Sequence, residues 1–101
     1  MQLHIESPHF EPDEKLMELV RSRFEHFAKR YDRIGDCSVV LRKEQSDVQK
    51  CSFIEAKMEL PKSTILFASE QEERFEVALD KVIDDLAHQL RKFKEELEEN
   101  R

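Results

Sequence analysis

Polar and apolar residues alternate along residues 2–6, QLHIE, with Leu3 and Ile5 on one side. This period of two predicts a short, half-buried strand. After SPHFEPDEK the period lengthens, and Leu16, Val20, Phe24, Phe27 and Tyr31 recur at steps of three and four. That spacing predicts an amphipathic helix over residues 13–33. Pro12 suits the first helical position, which leaves Glu11 as the N-cap, a residue type not among the preferred ones. Asp13 and Glu14 sit in the first turn, where the positive end of the helix dipole favours them. Gly35, just past Ile34, is the expected terminator. Residues 37–44, CSVVLRKE, and 51–60, CSFIEAKMEL, read as two strands of a hairpin with a loose turn near 45–49. In the second strand Ile54, Ala56, Met58 and Leu60 share a face. Pro61, Lys62 and Ser63 close it, and TILFAS at 64–69 predicts a fourth strand. From Gln71 the helical period returns, with Phe75, Leu79, Val82, Leu86, Leu90, Phe93 and Leu97 on one stripe.

The predicted order is strand, helix, three strands, helix. It describes an α+β fold: a two-layer β-α-β-β-β-α sandwich, with antiparallel strands in a four-stranded sheet and two helices on one face. A length of 101 residues allows one domain, spanning 1–101, with fraying expected in the acidic tail at about 95–101.

Composition narrows the chemistry. Charged residues make up 40% and hydrophobic residues 39%, enough apolar side chains for one core beneath a densely charged surface. No apolar run approaches the roughly 20 residues that span a bilayer, and no basic-then-apolar leader opens the chain. A cytoplasmic protein is expected, with Cys37 and Cys51 as reduced, partly buried thiols. His4, His9, His26 and His88 are scattered and lack metal-ligand spacing. Asp84 and Asp85 are adjacent and point apart on a helix, so they make a poor acid–base dyad. A single glycine cannot build a phosphate-cradling loop. Nothing supports Cys37 as a nucleophile. No catalytic constellation, cofactor, metal or small-molecule substrate is expected, and the chain reads as a non-enzyme.

The net charge of −6 hides a local pattern. Residues 70–87 carry seven acids and two bases, whereas 88–94 carry three bases and no acid. The basic run HQLRKFK contributes His88, Arg91, Lys92 and Lys94. On the first helix Arg23, His26 and Arg30 share a face, with Lys29 and Arg33 near its end. If the helices lie side by side, the two groups form one basic strip between acidic flanks. The plainer reading is a solvated surface with bases matched to the negative ends of the helices.

The stretches MQLHIES, LVRSRFEHFAKRYDRI, VVLRKE and FASEQEERFEVALDKVIDDLAHQLRKFK, in this order, carry a family resemblance. The chain resembles the bacterial ribosome hibernation-promoting factor and ribosome-associated inhibitor A family, also called sigma-54 modulation proteins. The resemblance covers nearly the whole chain. It implies a fold like that of a double-stranded-RNA-binding domain. It implies binding to the small ribosomal subunit, to ribosomal RNA and proteins near the mRNA channel, which would occlude mRNA and tRNA and hold ribosomes inactive under stress or in stationary phase. The ribosome-binding positions it carries over are Arg23, His26, Lys29, Arg30, Arg33, Lys81, His88, Gln89, Lys92 and Lys94, with Arg91 an additional base nearby. His26 and His88 stand where lysine and arginine are common in the family, and Arg74 where aspartate is. The chain also resembles the short members, which end soon after the second helix.

The residues leave an alternative open. The acidic 70–87 surface would suit a basic protein partner if the fold had been kept and the ribosome lost. Regulation through a sigma factor, suggested by the older family name, has no independent support in the residues.

Overall fold

In the computed structural model the described residues are 1–43 and 51–99, with the side chain of Glu99 excluded. The elements follow the order β1 (Gln2–Glu6), α1 (Glu14–Ala28), β2 (Asp36–Lys43), β3 (Ser52–Leu60), β4 (Thr64–Glu72) and α2 (Phe75–Glu99). The expected turn at 45–49 and the last residue of the strand expected over 37–44 lie outside the described residues.

The sheet order is β1-β2-β3-β4. β2, β3 and β4 pair antiparallel, as expected of two hairpin connections. β1 departs from the antiparallel expectation: it runs parallel to β2, Leu3 opposite Cys37 and Ile5 opposite Val39. The reason is topological. α1 carries the chain back across the sheet between β1 and β2, so β2 must start again from the same end. The same logic returns α2 after β4, and the two helices therefore run in the same direction.

Both helices cover one face. The inward residues of β2, β3 and β4, among them Val39, Leu41, Ile54, Ala56, Met58 and Leu66, form one core with Val20, Phe24 and Phe27 of α1 and Leu79, Val82, Leu86, Leu90 and Phe93 of α2. Ala78 and Ile83 join the expected stripe of α2. Leu3, Ile5, Leu16 and Tyr31 are half-buried at its margins, and Ser52, buried among apolar neighbours, donates its hydroxyl to the Glu73 carbonyl at 3.4 Å. Among the described residues the opposite sheet face is open.

Several boundaries differ from expectation. The N-cap of α1 is Asp13, not Glu11: its carboxylate accepts a hydrogen bond from the Leu16 N–H at 2.8 Å. Pro12 therefore precedes the cap. α1 ends at Ala28, five residues short of 33, because its last turns tighten into i→i+3 bonds from Arg30 N–H to Phe27 O and from Tyr31 N–H to Ala28 O. Gly35 ends no helix. Its N–H donates to Glu59 O at 2.8 Å and its carbonyl accepts from Gln2 N–H at 3.3 Å, which starts the ladders of β2 on both sides. β4 runs three residues beyond Ser69, and the tail expected to fray is helical through Glu99.

The cap yields a first prediction. Asp13→Ala should lower unfolding free energy by about 1 kcal/mol, while Glu11→Ala should stay within about 0.5 kcal/mol, both measured by urea titration.

The β3–β4 turn supplies a second. Lys62 and Ser63 both have positive φ, 62° and 58°. A β-branched side chain resists that conformation most. Lys62→Ile, although exposed, should cost about 1–2 kcal/mol in the same measurement, and Lys62→Asn should cost nothing.

Candidate nucleic-acid interface

Because α1 and α2 run side by side in the same direction, bases late in α1 meet bases late in α2. The joint is explicit. Lys94 of α2 donates from Nζ to the Arg30 carbonyl at 3.3 Å and lies over the Tyr31 ring, 5.9 Å from its centroid. An ammonium here satisfies a carbonyl left over at the end of α1 and matches the negative end of its dipole. Tyr31 in turn meets Phe93 edge-on at 6.1 Å. The Arg30 guanidinium lies 5.4 Å from the Phe27 ring centroid, held against an apolar surface while its N–H groups remain outward.

A cleft of about 390 Å³ opens at this joint, lined by Arg30, Ala87, Leu90, Arg91, Lys94, Glu95 and Glu98. Three cations and two carboxylates share it. Lys29, Arg33, His88 and Lys92 are exposed on the surrounding turns and helix, and none of them makes an ion pair among the described residues. His26 is exposed one turn before Arg30.

The remaining positions have other work. Arg23 forms an ion pair with Asp80 across the two helices. Both side chains are about half exposed, so the pair contributes little stability, but it cancels the charge that Arg23 would bring to a strip. Lys81 pairs with Glu72 of β4. That hydrogen bond, and the carboxylate's charge, push the Lys81 amino group above its ordinary value. Gln89 spends its amide on the backbone of Phe67, donating to the carbonyl at 2.7 Å and accepting from the N–H at 3.3 Å. It also donates to Asp85 at 3.0 Å. The expected strip is thus divided along the helices. The first half, around Asp80, Asp84 and Asp85, is acidic or neutralised; the second, over residues 26–33 and 88–94, is basic, with Glu95, Glu96 and Glu98 following it.

The sequence reading missed the neutralising residues Asp80 and Glu72 and the anchor role of Gln89. Asp80 lies 57 positions from Arg23, and no local signal connects them. The i,i+4 spacing of Asp85 and Gln89 is the one visible clue.

Cysteine chemistry is placed by burial. Cys37 is fully buried between β1 and β3, and desolvation pushes its thiol up to about 12 from an ordinary 9.0. Cys51 is half-buried. A thiol reagent at pH 8 should therefore label Cys51 and leave Cys37 untouched in the folded protein; equal labelling rates would contradict this. The linked pH effect has a definite sign. Above pH 9 the unfolded chain loses the Cys37 proton and the folded chain keeps it until about 12, so stability falls as pH rises through that window. Among the described residues no group of three His, Cys, Asp or Glu side chains is placed to hold a metal ion, and no helix is long and apolar enough to cross a membrane.

The model of the sigma 54 modulation protein / S30EA ribosomal protein family matches residues 3–98. The chain belongs to that family. Solved structures carry the same fold. A ribosomal subunit interface protein from Coxiella burnetii aligns with a TM-score of 0.81 over 93% of this chain and 98% of its own, at 17% identity. The N-terminal domain of Thermus thermophilus Protein Y aligns with a TM-score of 0.74 over 92% of this chain and 99% of its own, at 19% identity. No curated protein matches the chain in sequence. Both structural likenesses establish the S30EA-type fold: four strands under two helices.

Proposed function

We propose that this S30EA-family chain is a non-enzymatic ribosome-binding factor, which occupies the mRNA and tRNA channel of the small ribosomal subunit and keeps idle ribosomes inactive. The observation that carries this reading is the convergence of Arg30, Arg91 and Lys94 in one cleft at the joint of the helices, in a chain of net charge −6. Such a cluster suits phosphate. Guanidinium groups pair with phosphate oxygens through two parallel hydrogen bonds, and an ammonium adds a point charge. Contacts of this kind position a protein on RNA without reading its sequence, so recognition rests on the shape of the folded RNA. Inhibition is then steric: the bound domain fills space, and no bond is made or broken.

The acidic half of the helix layer fits the same picture. Asp84 and Glu76 repel phosphate, so they orient the domain with its basic end toward RNA. They also favour one second reading, a basic protein docked on α2 between Glu76 and Asp85.

Competition separates the two. Protein bound to purified small subunits should be displaced when mRNA and tRNA are added to saturation, as read by co-sedimentation. Simultaneous binding of all three would remove channel occlusion, and recovery of one basic protein without ribosomal RNA would favour the second reading.

A further inference from the structure

Among the described residues β4 is a free edge of the sheet, and α2 lies along it. Gln89 reaches Phe67 from outside the sheet, so the N–H and C=O of Phe67 both point away from β3. Residues alternate in an antiparallel ladder, and Ile65 and Ser69 therefore present their backbone groups outward too. On the open face beside this edge, Ile65 is 61% and Phe67 43% exposed. The outer stripe of α2 runs Lys81, Asp85, Gln89, Lys92, Glu96 at steps of three and four. The bonds from Lys81 to Glu72 and from Gln89 to Phe67 fix that stripe above the β4 edge.

We propose that the β4 edge and this stripe form an interface for a second copy of the chain. The two β4 strands would join antiparallel about a two-fold axis into one eight-stranded sheet. Two registers agree on the axis. Passing it through Phe67 sets Phe67 against itself, Ile65 against Ser69 of the second copy, Leu66 against Ala68 and Thr64 against Glu70, with no like charges opposed. Gln89 lies beside Phe67, so the same axis passes between positions 88 and 89 of α2. There it sets Asp85 against Lys92 of the second copy and Lys81 against Glu96. The order base, acid, amide, base, acid is its own complement when read backwards, which an isologous interface requires. In the single chain Gln89 occupies the central rung and competes with the second strand, a common way of guarding an edge. The basic cleft lies on the α1 side of α2 and stays open, so this inference stands apart from the reading of RNA binding.

Sedimentation equilibrium on the full chain tests it. Gln89→Met keeps the helix and the side-chain volume but removes the clasp, and should tighten dimerisation at least tenfold over wild type. Ser69→Pro removes an outward N–H and spares the ladder to β3, and should abolish the dimer of Gln89→Met. In the same background Asp85→Lys and Lys92→Asp should each weaken the dimer and together restore it. Should Gln89→Met fail to fold by circular dichroism, Gln89→Asn, one methylene short of Phe67, replaces it. A clasp variant that stays monomeric at millimolar concentration, or a dimer indifferent to Ser69→Pro, overturns the proposal.

Discussion

Replacing Arg30 and Arg91 together with glutamate should lower affinity for small ribosomal subunits by about a hundredfold at 0.1 M salt, with the fold unchanged. Both side chains line the cleft at the joint of the helices, and both are exposed. Reversal removes two phosphate partners and puts two repelling charges in their place. Arg91 is exposed and Arg30 meets the core only over the Phe27 ring, so the far-ultraviolet spectrum should match wild type and the unfolding free energy should fall by no more than about 1 kcal/mol. Arg23→Gln makes the matching control. Arg23 is committed to Asp80, and its loss should change affinity less than threefold. Equal losses for Arg23→Gln and the double reversal would show that the charge is not divided along the helices. Quantitative co-sedimentation measures all three proteins.

Phe24→Ala should cost about 3–5 kcal/mol. Phe24 is fully buried on α1 and belongs to the single core formed by both helices and the sheet. Domains of this length have total stabilities of about 5–15 kcal/mol, so the variant should be near the edge of folding at 37 °C. The effect reaches function through geometry. Phe24 helps hold α1 against α2, and the cleft exists only where the two helices meet. A urea titration should show the midpoint falling sharply with little change in slope. A loss under 1.5 kcal/mol would mean that the α1 side of the core is looser than its burial indicates.

Much of this architecture was legible in the chain. The alternation of Ile54, Ala56, Met58 and Leu60 names the buried face of β3, and Leu79 to Phe93 traces the buried stripe of α2, with Phe75 and Leu97 half-buried at its ends. What the pattern could not carry is neighbourhood. Leu3 and Ile5 show which side of β1 is inward, but not that β1 runs parallel to β2; that follows from the crossover through α1. The end of α1 was obscured because Tyr31 and Ile34 continue the apolar spacing after helical bonding has tightened. The site divides in the same way. The basic clusters near 30 and 91 are visible as local runs, whereas the partners that neutralise Arg23 and Lys81 come from distant elements. Gln89 was the least legible. A glutamine within a basic run reads as a surface contact, and only the sheet order places it at the free edge of β4.

The central claim is that the basic end of the paired helices binds ribosomal RNA through its phosphates. Its most direct test is the dissociation constant of the full chain on purified small ribosomal subunits across a salt series. Three to five phosphate contacts predict that the logarithm of the association constant falls with the logarithm of salt at a slope of about −2 to −4. In Arg30→Glu/Arg91→Glu the slope should be shallower by about 2. Absence of binding at the lowest salt, or binding that does not change with salt, would contradict the account.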